Sequence, residues 1–343
     1  CSAQAYTYNA YHIVKAFYPS VEITNHVEEK ASNYVEINFS DGQVIAVEKE
    51  EIKAGTDAEK KAQVDKKLYE KLSEKSGKTL AWGILTGVRP TKLAMKKLEE
   101  GMEAEEFVSW FQKTYLVSEE KSRLAWEIAK REKQLLDQLD YEDGYSLYVG
   151  IPFCPTVCTY CSFSSGALED WKDFVDDYVD ALCKELAFIG EASKQKKLNS
   201  IYIGGGTPTS LNARQLERIL SCIDTHFSRE YLLEYTVEAG RPDSITEEKL
   251  QVIKAHKVTR ISINPQTMQQ KTLDIIGRKH TVEDICKTYE MARNLGFDNI
   301  NMDIILGLVD ENLDMVRNTL DKIKELSPES LTVHTLAVKR TSK

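Results

Sequence analysis

Residues 148–163 read Tyr-Val-Gly-Ile-Pro-Phe-Cys-Pro-Thr-Val-Cys-Thr-Tyr-Cys-Ser-Phe, and three of the chain's seven cysteines, Cys154, Cys158 and Cys161, fall in this stretch. They directly follow a run, 145–151, whose pattern predicts a strand. Three thiolates on one short loop can hold three corners of an iron-sulfur cube, whereas a closed tetrahedral zinc site needs a fourth ligand close by, and none is nearby. An incomplete zinc knuckle is the plainer alternative. Three protein ligands on a 4Fe-4S cluster leave one iron with an open position, where a small chelating molecule can be bound and activated.

Beyond Asp143-Gly144, strand patterns alternate with helical ones. Strands are predicted near 145–151, 199–205, 233–238, 258–263, 299–305 and 330–336. Between them run helical spacings such as Phe174, Tyr178, Leu182, Leu186 and Leu313, Val316, Leu320, Ile323. Thr246 before Glu247-Glu248, and Thr281 before Asp284, have the form of helix starts. Six strand-helix steps without hairpin turns imply an α/β fold with a parallel sheet and right-handed crossovers, either open or an incomplete (β/α)6 barrel. Cys183, Cys222 and Cys286 lie in the helical stretches near apolar residues and are expected to be core thiols.

The first part of the chain has a different character. Tyr34 to Phe39 alternates, turns at Asp41-Gly42 and returns through Val44 to Val47, which predicts a hairpin. Residues 57–77, with Val64, Leu68 and Leu72 four apart among many lysines and glutamates, predict an exposed helix. Pro90 is placed to start another helix. Arg89 and Lys92 beside it could hold an anion or merely decorate a surface loop. Two helices follow, with Phe107, Trp110, Phe111 and Tyr115 on one face of the first and Leu124, Ile128 and Leu135 in the second. The expected organisation is an α+β accessory domain over 1–140 and the parallel barrel from 141 to 343.

With 343 residues and 42% hydrophobic content, the chain can bury a sizeable core. A net charge of -9 disfavours nucleic acid as a partner. No membrane-length apolar run and no signal-peptide pattern is present, and an odd number of cysteines, three of them packed together, argues for a reducing cytoplasm. The start at Cys1 and the stop within the apolar run 331–338 suggest a piece of a longer protein.

In parallel α/β folds ligands gather at the C-terminal strand ends, where the remaining informative residues fall. Gly204-Gly205-Gly206-Thr207-Pro208-Thr209 follows the second strand and has neither phosphate-loop nor dinucleotide spacing. Consecutive glycines there let a ligand approach and pair with backbone N–H and C=O groups, as an amino-acid moiety would. Glu238 ends the third strand, where a carboxylate could accept both hydroxyls of a ribose or form a rim salt bridge. Asp303 lies in an otherwise apolar strand, so it is either a site residue or paired with a cation such as Arg278 or Arg260.

Taken together, these segments resemble the radical SAM superfamily. Within it they resemble the oxygen-independent coproporphyrinogen III oxidases (dehydrogenases), closest to the HemZ-type group. The resemblance runs from Tyr145 to about Val338 and rests on Tyr-x-x-Ile-Pro-Phe-Cys, Cys-x3-Cys-x2-Cys, Gly-Gly-Gly-Thr-Pro-Thr and Arg-Ile-Ser-Ile-x-x-Gln in that order. It implies a 4Fe-4S cluster on Cys154, Cys158 and Cys161, S-adenosyl-L-methionine on the free iron, and cleavage to a 5'-deoxyadenosyl radical. By position, Tyr160 would contact the adenine, Gly205, Gly206 and Thr207 the methionyl part, and Glu238 the ribose. Gln266, Arg278 and Asp303 would make further contacts, with Tyr148 beside the cluster as a catalytic residue. The implied reaction abstracts a propionate β-hydrogen and releases CO2 and an electron, turning two propionates of coproporphyrinogen III into vinyl groups. The implied partners are a tetrapyrrole substrate, which asks for basic side chains such as Arg241, Arg278 and Lys279, and a flavodoxin- or ferredoxin-type electron donor. A haem-binding chaperone, a radical methyltransferase and a haem-opening enzyme are alternatives on the same scaffold. The chain departs from the family's usual motifs at Gly150, at Ser162-Phe163-Ser164, which holds no fourth cysteine, and at Asn264-Pro265.

Overall fold

Side chains in the second half alternate apolar and polar along each strand, so a sheet built from them has one face for helices and one for something else. The computed structural model describes residues 1–337 and divides the chain into two compact units, Cys1–Gln138 and Leu139–Lys343. In the second unit, strands β3 (Gly144–Ile151), β4 (Lys197–Gly205), β5 (Glu234–Gly240), β6 (Arg260–Ile263), β7 (Ile300–Leu306) and β8 (Ser330–Thr335) pair side by side in chain order. All five pairings are parallel. The six predicted strands are all present, and the sheet is a curled half-barrel rather than a closed one. Val338, the end of the predicted apolar run, lies outside the described residues.

The register sorts the side chains. Leu147, Ile201 and Tyr235 line up across β3, β4 and β5, as do Val149, Ile203 and Val237. These join a core with Val179, Leu182 and Leu186 of α6 (Val175–Ala192) and Leu216, Ile219 and Ile223 of α7 (Ala213–His226). The opposite face carries the rows Tyr148, Tyr202, Thr236, Arg260 and Ser262, Asn301, Ser330, with Asp303 beside Thr332. Parallel sheets are ordinarily apolar on both faces because helices cover both. A polar inner face therefore marks the side that receives a ligand.

Helix α8 (Glu247–Ala255) starts at Thr246, whose side chain accepts from Lys249 N–H, and α9 (Gln270–Ile275) follows β6. Helix α10 (Val282–Asn294) starts in a full Thr281/Asp284 capping box, and α11 (Leu313–Leu326) starts at Asn312. Both predicted helix starts are observed. Cys183, Cys222 and Cys286 pack partly buried against the core, as expected.

The first unit holds α1 (Gln4–Phe17), the antiparallel pair β1 (Asn33–Asn38) and β2 (Val44–Glu48), and α2 (Asp57–Ser76). It continues with α3 (Pro90–Glu99), α4 (Ala104–Tyr115) and α5 (Glu119–Leu136). The hairpin and the Pro90 helix start are as predicted. Two expectations need correcting. Helix α2 is not simply exposed: Val64, Leu68 and Leu72 are fully buried with Ile13 and Phe17 of α1, a helix the sequence reading did not foresee. In α5 the buried face is Ala125, Trp126 and Ala129, while Leu124 and Leu135 face solvent. Small residues there let Phe107 and Phe111 of α4 approach closely, so packing outweighed side-chain hydrophobicity. Among the described residues, no helix is long and apolar enough to cross a membrane.

Candidate functional site

A cavity of about 450 Å³ opens on the polar face at the C-terminal strand ends. Its walls include Cys154, Cys158, Cys161, Tyr160, Gly205, Gly206, Thr207, Glu238, Gln266, Arg278 and Asp303. The fold thus brings together residues up to about 150 positions apart in sequence. Tyr148 is the exception, because it stands on the edge strand, 61% exposed, with its ring stacked on Tyr202 at 5.9 Å rather than in the cavity wall. Among the described residues, no three His, Cys, Asp or Glu side chains gather closely enough to hold a single metal ion.

The glycine loop behaves differently from expectation. Gly206 N–H and Thr207 N–H donate to the carbonyls of Ile151 and Phe153, each at 2.7 Å. Those amides therefore fasten the approach to the cysteine loop, and what the loop can offer a ligand is carbonyl oxygen. Glycine is needed at 206 because a Cβ would sit 2.6 Å from Phe153 O and 2.9 Å from Ile151 O, both rigid backbone atoms. Thr207 Oγ1 lies 3.5 Å from Cys154 Sγ.

Glu238 is not a salt-bridged rim residue. Its carboxylate accepts the Tyr202 hydroxyl, which the sequence reading missed because nothing local ties a strand tyrosine to an acid 36 positions on. Burial pushes the Glu238 carboxyl above its usual value, the Tyr202 hydrogen bond partly offsets this, and Asp303 adds to the rise. Asp303 is paired with neither Arg260 nor Arg278; it accepts Asn301 Nδ2 at 2.6 Å, with His334 Nε2 4.0 Å away. Arg260 lines the same cavity, donating to Ser330 at 3.2 Å.

Gln266 holds φ +67, a left-handed conformation unusual for a residue with a side chain. It is pinned by Gln266 N–H to Asp303 O and Ile305 N–H to Gln266 O, both 2.9 Å. Arg278 is buried, donating to the Asn264 carbonyl and to Tyr160 Oη. Burial pushes the Tyr160 phenol up to about 12. Buried Asn264 Oδ1, Gln266 Oε1 and Arg278 Nε, all on residues of the cavity wall, lack hydrogen-bond partners. Unsatisfied buried polar atoms are costly, so their convergence fits a site completed by a polar ligand.

A parallel half-barrel with a three-cysteine loop and a glycine-rich loop at its C-terminal edge defines the radical SAM architecture. The family model described as Radical SAM superfamily matches residues 148–323, and the chain belongs to this superfamily. Its members use a 4Fe-4S cluster and S-adenosylmethionine, and these are the cofactors of this chain. Among curated proteins, the oxygen-independent coproporphyrinogen-III oxidase-like protein HemZ of Bacillus subtilis (strain 168) is 45% identical over 275 residues, covering 79% of this chain and 55% of that protein. The heme chaperone HemW of the same organism is 36% identical over 194 residues, covering 56% of this chain and 50% of that one. The structure of coproporphyrinogen III oxidase (HemN) from Escherichia coli aligns with a TM-score of 0.53 at 27% identity, covering 62% of this chain and 50% of that one. The chain spans about half the length of the curated relatives it matches.

Proposed function

We propose that the protein is a radical enzyme that oxidatively decarboxylates propionate side chains of coproporphyrinogen III to vinyl groups, working in a reducing cytoplasm with a small electron-transfer protein. The observation that carries this reading is the single cavity walled by the three cysteines, the glycine loop and Glu238, in a chain 45% identical over 275 residues to a coproporphyrinogen-oxidase-like protein. When bound, the cluster supplies the electron that cleaves S-adenosylmethionine, providing a carbon radical able to take a hydrogen atom from substrate.

The chain's own residues have separate tasks. Cys154, Cys158 and Cys161 would hold the cluster through three thiolates, one short of a full set of four, so that S-adenosylmethionine could bind there. The carbonyls of Gly205 and Gly206 suit an ammonium donor, Thr207, whose own carbonyl accepts Ser210 N–H, sets its hydroxyl beside Cys154, and Glu238 suits two ribose hydroxyls. Gln266, Arg278 and Asp303 complete the polar wall, while Tyr160 closes the cavity against the adenine. Tyr148, one strand further out, faces the substrate side. Of the cations expected for substrate carboxylates, Lys279 is exposed and absent from the cavity wall and Arg241 is otherwise engaged, so Arg260 is the better placed.

The test is anaerobic reconstitution of the full-length protein with iron and sulfide, followed by S-adenosylmethionine, dithionite and coproporphyrinogen III. Mass spectrometry should detect 5'-deoxyadenosine, CO2 and loss of two carboxyl groups. Cleavage of S-adenosylmethionine with the tetrapyrrole untouched would defeat the substrate assignment. The similarity to HemW supports a second reading, haem transfer, which stoichiometric haem binding without deoxyadenosine would favour.

A further inference from the structure

Arg241 was expected to face substrate, yet its side chain is 3% exposed and every arm of its guanidinium is engaged. Nε and Nη2 donate to the two carboxylate oxygens of Asp243 at 2.9 and 2.6 Å, a bidentate fork. Nη1 donates to Thr156 O and Thr156 Oγ1, both at 2.8 Å, and reaches Cys158 Sγ at 3.8 Å. Thr156 Oγ1 in turn lies 3.2 Å from Gly277 O. Burial works against ionisation of Asp243, but His280 and Arg241 hold its carboxyl well below the usual range.

A buried ion pair is an expensive way to anchor a loop, since well-packed apolar side chains commonly do as well. What an apolar anchor lacks is an N–H donor and a positive charge beside a thiolate. We propose that Arg241, oriented by Asp243, is a tuning residue that donates to the Cys158 sulfur and raises the reduction potential of the cluster. This rests on the assignment of Cys158 as a cluster ligand. Adding one electron from a reductant makes the three-thiolate centre more negative. A fixed cation and a hydrogen bond to sulfur favour that reduced state, as net charge and sulfur hydrogen bonds do in iron-sulfur proteins generally.

The experiment compares full-length wild type, Arg241→Lys and Arg241→Gln, each reconstituted anaerobically and titrated with dithionite under electron paramagnetic resonance. Arg241→Gln should keep its iron and sulfide while its reduction equilibrium falls about tenfold, which is about 59 mV for one electron. Arg241→Lys, which keeps the charge but cannot span Asp243, Thr156 and Cys158 together, should shift less. Arg241→Gln with a full cluster at the wild-type potential overturns the proposal. If Arg241→Gln holds no cluster, Arg241→Lys decides: a lowered potential supports tuning and an unchanged one refutes it. Cluster loss from both variants would reduce Arg241 to a loop anchor, also refuting it. Failure of the wild type itself to take up iron and sulfide would instead defeat the ligand assignment on which the proposal stands.

Discussion

Replacing Tyr202 with Phe removes the donor that Glu238 accepts and leaves the ring stack with Tyr148 intact. A hydrogen bond to a charged group contributes about 1.5–3 kcal/mol, one between neutral groups about 0.5–1.5 kcal/mol. Which value applies depends on the charge of Glu238, whose native carboxyl titrates above its ordinary 4.5 because of burial. An acid raised in the folded state binds its proton more tightly there than in the unfolded chain. It therefore favours folding at low pH, and this contribution is lost as pH rises from 4.5 through the native value. Tyr202→Phe raises the native value further, so the loss deepens. The variant should be destabilised by roughly 0.5–1.5 kcal/mol at acid pH and by about 1 kcal/mol more at pH 8. The phenol itself stays protonated throughout, since burial and Glu238 push it far above its usual value. Hydrogen exchange of the β5 peptide, Glu234–Gly240, read from acid to alkaline pH, measures the difference locally. Placing Tyr202→Phe in a Glu238→Gln background should abolish the pH dependence. A destabilisation that is constant with pH, or none, would refute the reasoning.

Gly206→Ala should cost about 1–3 kcal/mol by overpacking against Phe153 O and Ile151 O and should lower the iron bound per chain, read by thermal unfolding and metal analysis. Thr281→Ala removes the hydroxyl that accepts Asp284 N–H and leaves the other half of the capping box, Thr281 N–H to the Asp284 carboxylate, in place; it should destabilise by about 1 kcal/mol, with Thr281→Ser restoring most of it in denaturant unfolding, while iron content stays unchanged.

The residues themselves determined the order of elements. The six strands and the Thr246 and Thr281 helix starts were legible because alternation and capping are local: each involves residues within one or two turns of one another. The cysteine loop was legible for the same reason. Helix α5 shows the limit of local pattern, since its leucines face solvent while Ala125 and Ala129 are buried, a choice set by the aromatic residues of α4. In the site, the tertiary structure alone decided who partners whom. Glu238 meets Tyr202 across one strand pairing, Asp303 takes Asn301 rather than an arginine, and Arg241 turns inward to a residue 85 positions away. Such contacts depend on sheet register and on which side chain reaches a buried charge first. No periodicity along the chain encodes them, because their free energy exists only once the strands are side by side.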